Sequence, residues 1–411
     1  MLSKKCRGCC GVGFSTLIDL GTSPISNDFL DESNLHKSEK NHNLEVVICN
    51  TCGFAQLSED IDPRDLFKSD YVYFSSYSKS WLTHAQNFAS FAVKEFGLSN
   101  ESRVVEIASN DGYLLQYFKV LGISVIGIEP TLETATAAIN NHEIETIQKF
   151  FNSELALELI SADRSASLLI GNNVLAHVPD IRDFIRAVSI ILQKNGRATF
   201  EFPHLVNLLM NNQFDTIYHE HYSYLSLTSL LPIFQFHGLD IYKVEQLPTH
   251  GGSIRIYVAR SEDLQSVDVS VTQILDLESK WDPRNVSVRE NFQRAVTEVK
   301  ELLLKEILSL KKLGVQIVAY GAAAKGNTLL NYCGIDSSMI DCVVDSNPNK
   351  QGKYLPGSQI PVVSLKQVTE LPGVFLILPW NLQEEIISVL REDFEDCRYL
   401  VAIPKVAYVD F

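Results

Sequence analysis

The chain has 411 residues, 45% of them hydrophobic, so it is long enough for two or three domains, because a single core rarely grows past about 250–300 residues. Its 35 Lys and Arg residues and 50 Asp and Glu residues give a net charge of −15, and no basic cluster is present that would neutralise a row of phosphates, so a nucleic-acid partner is not expected. No apolar run reaches the ~18 residues of a spanning helix, and residues 1–10 carry charges and cysteines where a signal peptide needs an apolar stretch. We therefore expect a cytoplasmic protein with no membrane partner.

The first segment, residues 1–68, is rich in turns and poor in apolar runs, so a metal is expected to supply what packing cannot. It contains two Cys-x-x-Cys pairs, whose spacing lets four thiolates surround one Zn²⁺: Cys6 and Cys9, Cys49 and Cys52. Four protein ligands leave no position for a reactive water, so the zinc is predicted to be structural. Cys10 is an alternative to Cys9, and four reduced thiols without a metal are the competing interpretation.

In the second segment, residues 69–260, helices and strands are predicted to alternate. The apolar pattern indicates helices near 79–97, 112–121, 131–140 and 180–193, with strands at 103–107, 124–128 and 167–171. This alternation is typical of a parallel, doubly wound α/β sheet of the Rossmann-like type.

The last part of the chain repeats this plan on a smaller scale. A polar stretch at 261–289 and a long charged helix near 290–313 form a predicted helical connector over 261–313. Strands follow at 315–320, 340–344, 374–378 and 398–403, with helices near 324–332 and 381–392. We therefore predict a second, Rossmann-like α/β domain over residues 314–411.

The turn after strand 103–107 indicates the cofactor. It reads Ala-Ser-Asn-Asp-Gly, which lacks most glycines of a dinucleotide-binding loop, and Asp111 would repel a pyrophosphate. Asp111 and Glu106 instead suit S-adenosylmethionine, whose amino group and sulfonium are positive. Glu129 ends the next strand, where a carboxylate can accept hydrogen bonds from both ribose hydroxyls.

An S-adenosylmethionine site is therefore predicted at this edge of the sheet, and an ordinary α/β turn without a ligand is the alternative. The expected cofactor-binding residues are Glu106, Ala108, Asn110, Asp111, Gly112, Glu129, Pro130, Asn173 and Val174.

Five further motifs follow one another along the chain: Glu-Ile-Ala-Ser-Asn-Asp-Gly at 106–112, Asn-Val-Leu-Ala-His-Val-Pro-Asp at 173–180, Tyr-His-Glu-His-Tyr-Ser-Tyr at 218–224, His-Gly-Gly-Ser-Ile-Arg at 250–255 and Tyr-Gly-Ala-Ala-Ala-Lys-Gly-Asn at 320–327. With the cysteine pairs, this set resembles the sugar C-methyltransferases that act on nucleotide-linked 4-keto deoxysugars, typified by the C-3 methyltransferase of the D-tetronitrose pathway. The resemblance spans nearly the whole chain. It implies a zinc-binding N-terminal domain, a class I methyltransferase domain and a C-terminal α/β domain that helps to hold the nucleotide. Ala108 departs from the glycine that many methyltransferases carry there.

The resemblance implies chemistry at a sugar carbon. A ketone at C4 acidifies the hydrogen on C3, so a base can form an enolate that accepts the methyl group. The resemblance implies His221 as this base. Glu220 is expected either to orient its ring or to raise its basicity, and Tyr218 either to donate to the enolate oxygen or to position the ketone. His177 and Tyr73 complete the expected catalytic set. The expected substrate is a 4-keto-6-deoxy sugar carried on dTDP.

Substrate contacts are expected from an aromatic segment and from the C-terminal motifs. The aromatic segment, residues 71–77, either covers the sulfonium through cation–π contact, closes over the sugar or packs in the core. The turn at 321–326 follows a strand and opens a helix, a geometry that holds phosphate on backbone N–H groups. The expected substrate-binding residues are Tyr71, Tyr77, Tyr222, His250, Gly252, Arg255, Gly321, Lys325, Asn327, Asp345, Lys350 and Trp380.

Two other classes of function remain open on the sequence. One is an O- or N-methyltransferase that acts on a sugar nucleotide or small metabolite with the same cofactor. The other is a non-catalytic protein, held together by zinc, whose α/β domains bind nucleotides. The sequence leaves the oligomeric state open, a monomer included.

Overall fold

The computed structural model describes residues 5–66, 74–394 and 396–409. The expected contacts of Tyr71 and Tyr73 lie outside these residues. Within the described ranges, no helix combines the length and the apolar character needed to cross a membrane.

The described residues form three sheets. Their strands are β1 Phe14–Ser23, β2 His42–Cys49, β3 Ala55–Leu57, β4 Arg103–Ile107, β5 Ser124–Ile128, β6 Thr146–Ile147, β7 Ala166–Asn172, β8 Leu192–Pro203, β9 Ser223–Tyr224, β10 Leu239–Leu247, β11 Ser253–Arg260, β12 Ile317–Tyr320, β13 Cys342–Val344, β14 Val362–Val363, β15 Val374–Ile377, β16 Arg398–Val401 and β17 Ala407–Val409. The α-helices are α1 Pro63–Leu66, α2 Lys79–Glu95, α3 Leu115–Val120, α4 Leu132–His142, α5 Ser153–Ser161, α6 Ile181–Ile191, α7 Leu205–Met210, α8 Leu227–Phe236, α9 Val269–Lys280, α10 Val286–Lys312, α11 Ala324–Cys333 and α12 Gln383–Arg391.

The middle sheet confirms the predicted α/β fold. Its strand order is β10-β11-β8-β7-β4-β5-β6, and β4 to β8 are parallel, whereas β11 is antiparallel to both of its neighbours. Strands β4 and β5 coincide with the predicted strands 103–107 and 124–128. Because the strand order reverses direction between β4 and β7, their carboxyl ends flank a crevice, the usual place for a ligand in such sheets.

The C-terminal sheet confirms a second Rossmann-like unit. Its order is β14-β13-β12-β15-β16-β17, and all pairs except β16 with β17 are parallel. Helix α11 follows β12, so its N-terminus lies at the carboxyl edge of this sheet.

The N-terminal segment differs from the prediction, which gave it no substantial core. Strands β1, β2 and β3 form an antiparallel sheet that β9 completes from the middle of the chain. Leu17 and Val46 are fully buried, and they belong to the same apolar cluster as Phe292 and Val296 of α10. The strands therefore share a core with a helix that lies some 250 residues later, a partner that local patterning does not reveal.

The polar stretch at 261–289 also contains structure that the sequence pattern did not predict. Helix α9 occupies residues 269–280 and buries Glu278 against the start of α8. The Glu278 carboxylate accepts hydrogen bonds from the backbone N–H of Leu227 (2.6 Å) and from His204 Nε2 (2.7 Å). A carboxylate at a helix N-terminus satisfies otherwise unpaired N–H groups, so Glu278 fastens the connector to the middle domain.

Replacing Glu278 with Ala is expected to lower the free energy of unfolding by about 3 kcal/mol, because buried donors on α8 and His204 lose a charged acceptor. Urea denaturation followed by circular dichroism measures this change. The matched control is Glu301→Ala, which removes an exposed carboxylate from α10. Equal unfolding midpoints for the two variants would contradict this assignment.

Candidate active site

The four predicted zinc ligands lie together in the N-terminal domain. The Sγ atoms of Cys6, Cys9, Cys49 and Cys52 are all within 4.8 Å of one another. Two of the pairs, Cys6 with Cys52 and Cys9 with Cys49, are 3.6 and 3.5 Å apart. A tetrahedron with Zn–S bonds of about 2.3 Å has sulfur atoms about 3.8 Å apart, so the cluster fits zinc with little adjustment. Cys10 lies outside the group, which leaves Cys9 as the ligand.

Thiol chemistry in this cluster also suits a metal. The hydrogen bond from Cys52 lowers the pKa of the Cys6 thiol to about 5 and raises the pKa of Cys52, so one thiol of this pair is a thiolate at neutral pH. A metal bound by four sulfurs has no open coordination position for a water or a substrate, so its role is structural.

The predicted cofactor turn has a strained backbone that is pinned to the next strand. Ala108, Asn110 and Gly112 have positive φ angles of 53°, 51° and 81°. The Glu129 carboxylate accepts from the backbone N–H groups of Asn110 (3.0 Å) and Thr131 (2.9 Å), so it fixes the turn as well as lying at the expected ribose position. Gly112 has a φ of 81°, which disfavours other residues, and a Cβ there would lie 2.7 Å from the terminal methyl of Ile144, so backbone and packing together favour glycine.

Buried acceptor oxygens collect at the carboxyl ends of β4 and β7. Among the described residues, five such oxygens have no hydrogen-bond donor: both carboxylate oxygens of Glu106, Asp111 Oδ1, Asn172 Oδ1 and Asn173 Oδ1. Burial raises the pKa of Glu106 well above its ordinary value, which is the mark of a carboxylate that lacks a counter-charge. A ligand that brings an ammonium group and hydroxyl donors would satisfy this set, so the residues fit S-adenosylmethionine. Of the other predicted residues, Pro130 follows Glu129 in the sequence and Val174 follows Asn173. Asn172 was not among the predicted cofactor-binding residues.

The predicted base lies in a turn rather than on a strand. The His221 backbone N–H donates to the Tyr218 carbonyl (2.9 Å), which closes a turn over residues 218–221. The His221 ring lies 4.0 Å from the Tyr218 ring and 4.7 Å from the His177 ring, measured between centroids. The turn therefore brings three of the predicted catalytic side chains together.

The tautomer of His221 follows from its hydrogen bond. Nδ1 lies 2.8 Å from the backbone carbonyl oxygen of Thr216, and because a carbonyl only accepts, Nδ1 carries the hydrogen. The lone pair is then on Nε2, the atom able to accept a proton. The sequence suggested Glu220 as the group that orients this ring, but the Nδ1 partner is Thr216, and the Glu220 carboxylate accepts from Asn27 Nδ2 at 2.5 Å.

Burial keeps this histidine pair neutral. It lowers the pKa of His221 well below its ordinary value, and the neighbouring His177 contributes to the shift. Burial likewise lowers the pKa of His177 to about 4. At neutral pH both rings are therefore in the unprotonated form that a base requires.

Sequence reasoning did not identify a buried carboxylate on β8. Glu201 accepts from His84 Nε2 (2.8 Å), Arg255 (2.6 Å) and Thr249 Oγ1 (2.7 Å). Burial alone would raise its pKa, but His84 and Arg255 hold the pKa at about 2. Arg255, expected to bind substrate, is thereby engaged by Glu201 and also by Glu245 (3.1 Å) within the sheet.

The C-terminal domain reaches the site through Lys325 and Trp380. Lys325 Nζ donates to Asn381 Oδ1 (2.6 Å) and lies 5.1 Å from the centre of the Trp380 ring. Trp380 Nε1 donates to Asp215 Oδ2 (2.7 Å), across to the middle domain. Burial raises the pKa of Asp215 to about 6, and the charge of Lys325 opposes that rise. Asp215 was absent from the predicted set because no motif marks it.

Several expected substrate residues build the turn that leads into α11. Asp345 Oδ2 accepts from the backbone N–H of Ala322, and Lys350 Nζ donates to the carbonyl of Ala322, both at 2.8 Å. A Cβ at Gly321 would lie 2.3 Å from Pro379. Asn327 is buried, and its amide oxygen and nitrogen have no partner among the described residues.

The remaining expected contacts lie in different surroundings. Tyr222 is fully buried, and its hydroxyl donates to the Ile61 carbonyl (2.5 Å) of the N-terminal domain. Tyr77 is 60% exposed. The His250 ring stands edge-on to Trp81 at 5.1 Å, and the Gly252 carbonyl accepts from a nearby asparagine of α7. The Tyr222 hydroxyl is thus engaged by the N-terminal domain, whereas His250 faces α2.

A cleft of about 650 Å³ separates the middle and C-terminal domains. Its lining includes Gln213, Gly251, Trp380 and Asn381, together with the exposed Glu384 and Glu385. The cleft therefore adjoins the hydrogen bonds that join the two domains.

Comparisons with known proteins cover all three parts of the chain. Residues 6–67 match a family model described as "Putative zinc binding domain", residues 81–244 match "Methyltransferase domain", and residues 248–404 match "C-methyltransferase C-terminal domain". The C-methyltransferase NovU of Streptomyces niveus is 34% identical over 403 residues, which are 98% of this chain and 96% of that protein.

Similar solved structures share part of the chain at low identity. An S-adenosylmethionine-dependent methyltransferase from Clostridium acetobutylicum is 13% identical, with 44% of this chain and 92% of that chain covered and a TM-score of 0.36. Magnesium protoporphyrin IX methyltransferase from Synechocystis, with bound S-adenosylmethionine, is 13% identical, with 44% and 79% covered and a TM-score of 0.34. At such TM-scores the assignment rests on the sequence comparisons. The chain belongs to the C-methyltransferase family, and it is an S-adenosylmethionine-dependent methyltransferase with a zinc-binding N-terminal domain.

Proposed function

We propose that this C-methyltransferase adds a methyl group to C3 of a dTDP-linked 4-keto-6-deoxy sugar. The observation that carries the proposal is the neutral, buried His221, whose Nδ1 is held by the Thr216 carbonyl and whose Nε2 is left as a base. A methyl acceptor that is a carbon needs such a base, because a C–H bond is not nucleophilic until its proton is removed. Oxygen and nitrogen acceptors already carry lone pairs, and membership of the C-methyltransferase family favours carbon over both.

The proposed first step is removal of the C3 proton by His221 Nε2. The electron pair of the C–H bond moves into the C3–C4 bond, and the ketone oxygen becomes an enolate oxygen. Tyr218, whose ring lies 4.0 Å from His221, is the proposed donor to that oxygen. S-adenosylmethionine, when bound, would supply the electrophilic methyl group: the new C–C bond forms at C3 as the S–CH3 bond breaks, the C4 ketone re-forms and S-adenosylhomocysteine leaves.

The buried acceptors at the ends of β4 and β7 are the proposed cofactor contacts. Glu106 and Asp111 would face the ammonium group, and Glu129 would accept from the ribose hydroxyls, as the sequence also predicts. These side chains lie at the edge of the middle sheet where the crevice opens. Because they are proposed to bind the ammonium group and the ribose, they would determine which end of the cofactor points toward His177 and His221.

The nucleotide is proposed to occupy the cleft between the middle and C-terminal domains. Lys325 and the unpartnered amide of Asn327 lie on the first turn of α11, where a cation and backbone N–H groups favour a diphosphate. Glu384 and Glu385 in the lining of this cleft would repel phosphate, so the diphosphate is expected near Trp380 and Asn381, which Lys325 contacts.

Replacing His221 with Ala is expected to lower kcat for C-methylation by about 10²–10⁴-fold, the usual contribution of a general base. The assay uses isotopically labelled S-adenosylmethionine and a panel of nucleotide-linked 4-keto-6-deoxy sugars. Affinity for the cofactor, measured by calorimetry, should change less than about twofold, because His221 is proposed to contact the sugar. His237→Ala, at the end of α8 far from the turn, is the matched control, and equal turnover in both variants would remove His221 from its proposed role.

The pH dependence should reflect the lowered pKa of His221. A base is active when unprotonated, so kcat/KM falls only as pH drops through its pKa, and that fall is expected well below pH 6.5. Asp215, with a pKa of about 6, lies near the same domain junction, so Asp215→Asn is measured in parallel. A half-loss of kcat/KM near pH 6.5 that persists in Asp215→Asn would contradict a buried neutral base.

Metal analysis tests the role of the cysteine cluster. The purified protein is expected to contain about one zinc per chain, and Cys49→Ala should lose it together with several degrees of thermal midpoint, because metal binding contributes directly to folding. Cys342→Ala, a half-buried cysteine of the C-terminal sheet, is the control and should keep its zinc. Wild-type protein that is free of metal yet has the same midpoint after zinc is added would contradict a structural zinc site.

A further inference from the structure

The zinc-binding domain contacts the catalytic turn through a side chain that belongs to none of the predicted sites. Asn27, in the loop between β1 and β2, donates its Nδ2 hydrogen to Glu220 Oε1 at 2.5 Å. Glu220 is 2% exposed and Asn27 is half-buried, so water competes little for this bond. Hydrogen bonds to a charged acceptor are among the stronger ones in proteins.

The backbone that follows the turn is held by the same domain. Strand β9 pairs with β3, with Ser223 opposite Gln56. Arg7, next to the zinc ligand Cys6, donates to the carbonyl of Tyr222, and its backbone N–H donates to Gln56 Oε1 (2.9 Å). The chain that follows His221 is therefore anchored to the zinc-binding domain, by the pairing of β9 with β3 and by the Arg7 side chain on the Tyr222 carbonyl.

The residues that precede His221 are anchored by other parts of the chain. Thr328 of α11 donates to the Ile217 carbonyl (3.0 Å), and the turn itself is closed by a hydrogen bond between His221 and Tyr218. Between these two fixed ends, the Glu220 side chain is bonded to Asn27, and the His219 ring lies 5.7 Å from the ring of His42, also in the N-terminal domain. Because Glu220 and His221 are adjacent, a rotation of the Glu220 backbone would displace the imidazole from its place beside Tyr218 and His177.

We propose that Asn27 is a positioning residue for methyl transfer, which acts through Glu220 to hold His221 Nε2 toward the substrate. The zinc-binding domain thereby supplies part of the active-site geometry in addition to stabilising the fold. This inference rests on the proposed function in one respect, the use of His221 as the base.

The test compares Asn27→Ala and Asn27→Asp with Asn34→Ala, a half-buried asparagine of the same segment that is hydrogen-bonded locally to Lys37. Asn27→Ala is expected to lower kcat about tenfold, with KM and cofactor affinity unchanged, the signature of a misplaced catalytic group. Asn27→Asp keeps the shape but turns an acceptor toward Glu220, so its loss should be at least as large. Zinc content and thermal midpoint should match those of Asn34→Ala.

A double-mutant cycle assigns the route of the effect. If Asn27 acts through Glu220, then Asn27→Ala should cost no further activity in a Glu220→Ala background. Full activity of Asn27→Ala, or an equal loss in both backgrounds, would overturn the inference.

Amide hydrogen exchange over residues 217–222 tests the same contact without turnover. Asn27→Ala should speed exchange in this segment several-fold, whereas Asn34→Ala should leave it unchanged. If amide exchange in Asn27→Ala equals that of the wild type, the inference is overturned, whatever the activity of the variant. Absence of C-methylation by the wild type would instead overturn the proposed function, and the exchange result would still decide the role of Asn27.

Discussion

The candidate active site depends on one short segment of the middle domain, residues 214–224, which the zinc-binding and C-terminal domains both hold in place. The zinc-binding domain reaches it through Asn27 and the pairing of β3 with β9, and the C-terminal domain reaches it through Trp380 and Thr328. A histidine that must stay buried and neutral needs such support, because its ring gains no stabilisation from solvent. The Thr216 carbonyl, inside the same segment, accepts from Nδ1 and so leaves the lone pair on Nε2, the atom proposed as the base.

The electrostatics on the two sides of the proposed base differ, in a way that suits a cationic cofactor on one side and the proposed anionic substrate on the other. The cofactor side presents acceptor oxygens, including both carboxylate oxygens of Glu106, and so favours a cation. The C-terminal side presents the Lys325 ammonium group, and an anion such as a diphosphate would offset the cost of burying that charge. Between them, burial keeps His177 and His221 uncharged, so proton removal does not have to compete with an existing positive charge on the base.

The sequence predicted those features whose signal is local. Strands β4 and β5 and the two cysteine pairs were identified from periodicity and spacing, because each is contained in a few consecutive residues. The sequence pattern did not predict the N-terminal sheet, because the apolar face of this sheet packs against α10. It did not predict α9, because the surface of this helix is polar and one of its buried side chains is a carboxylate. Glu201, Asp215 and Asn27 have partners between 48 and 193 residues away, so their roles exist only in the folded chain. A motif named His221, but only the fold identifies Nε2 as its basic atom.

Solvent exchange at the sugar carbon tests the central claim, that His221 makes that carbon nucleophilic, most directly. The enzyme is incubated in D₂O with a dTDP-4-keto-6-deoxy sugar and S-adenosylhomocysteine, which lacks the transferable methyl group, and C3 is followed by proton NMR. The account predicts that wild-type protein exchanges the C3 hydrogen for deuterium and that His221→Ala does not. Methylation of the same sugar on oxygen or nitrogen, with C3 retaining its hydrogen throughout, would contradict it.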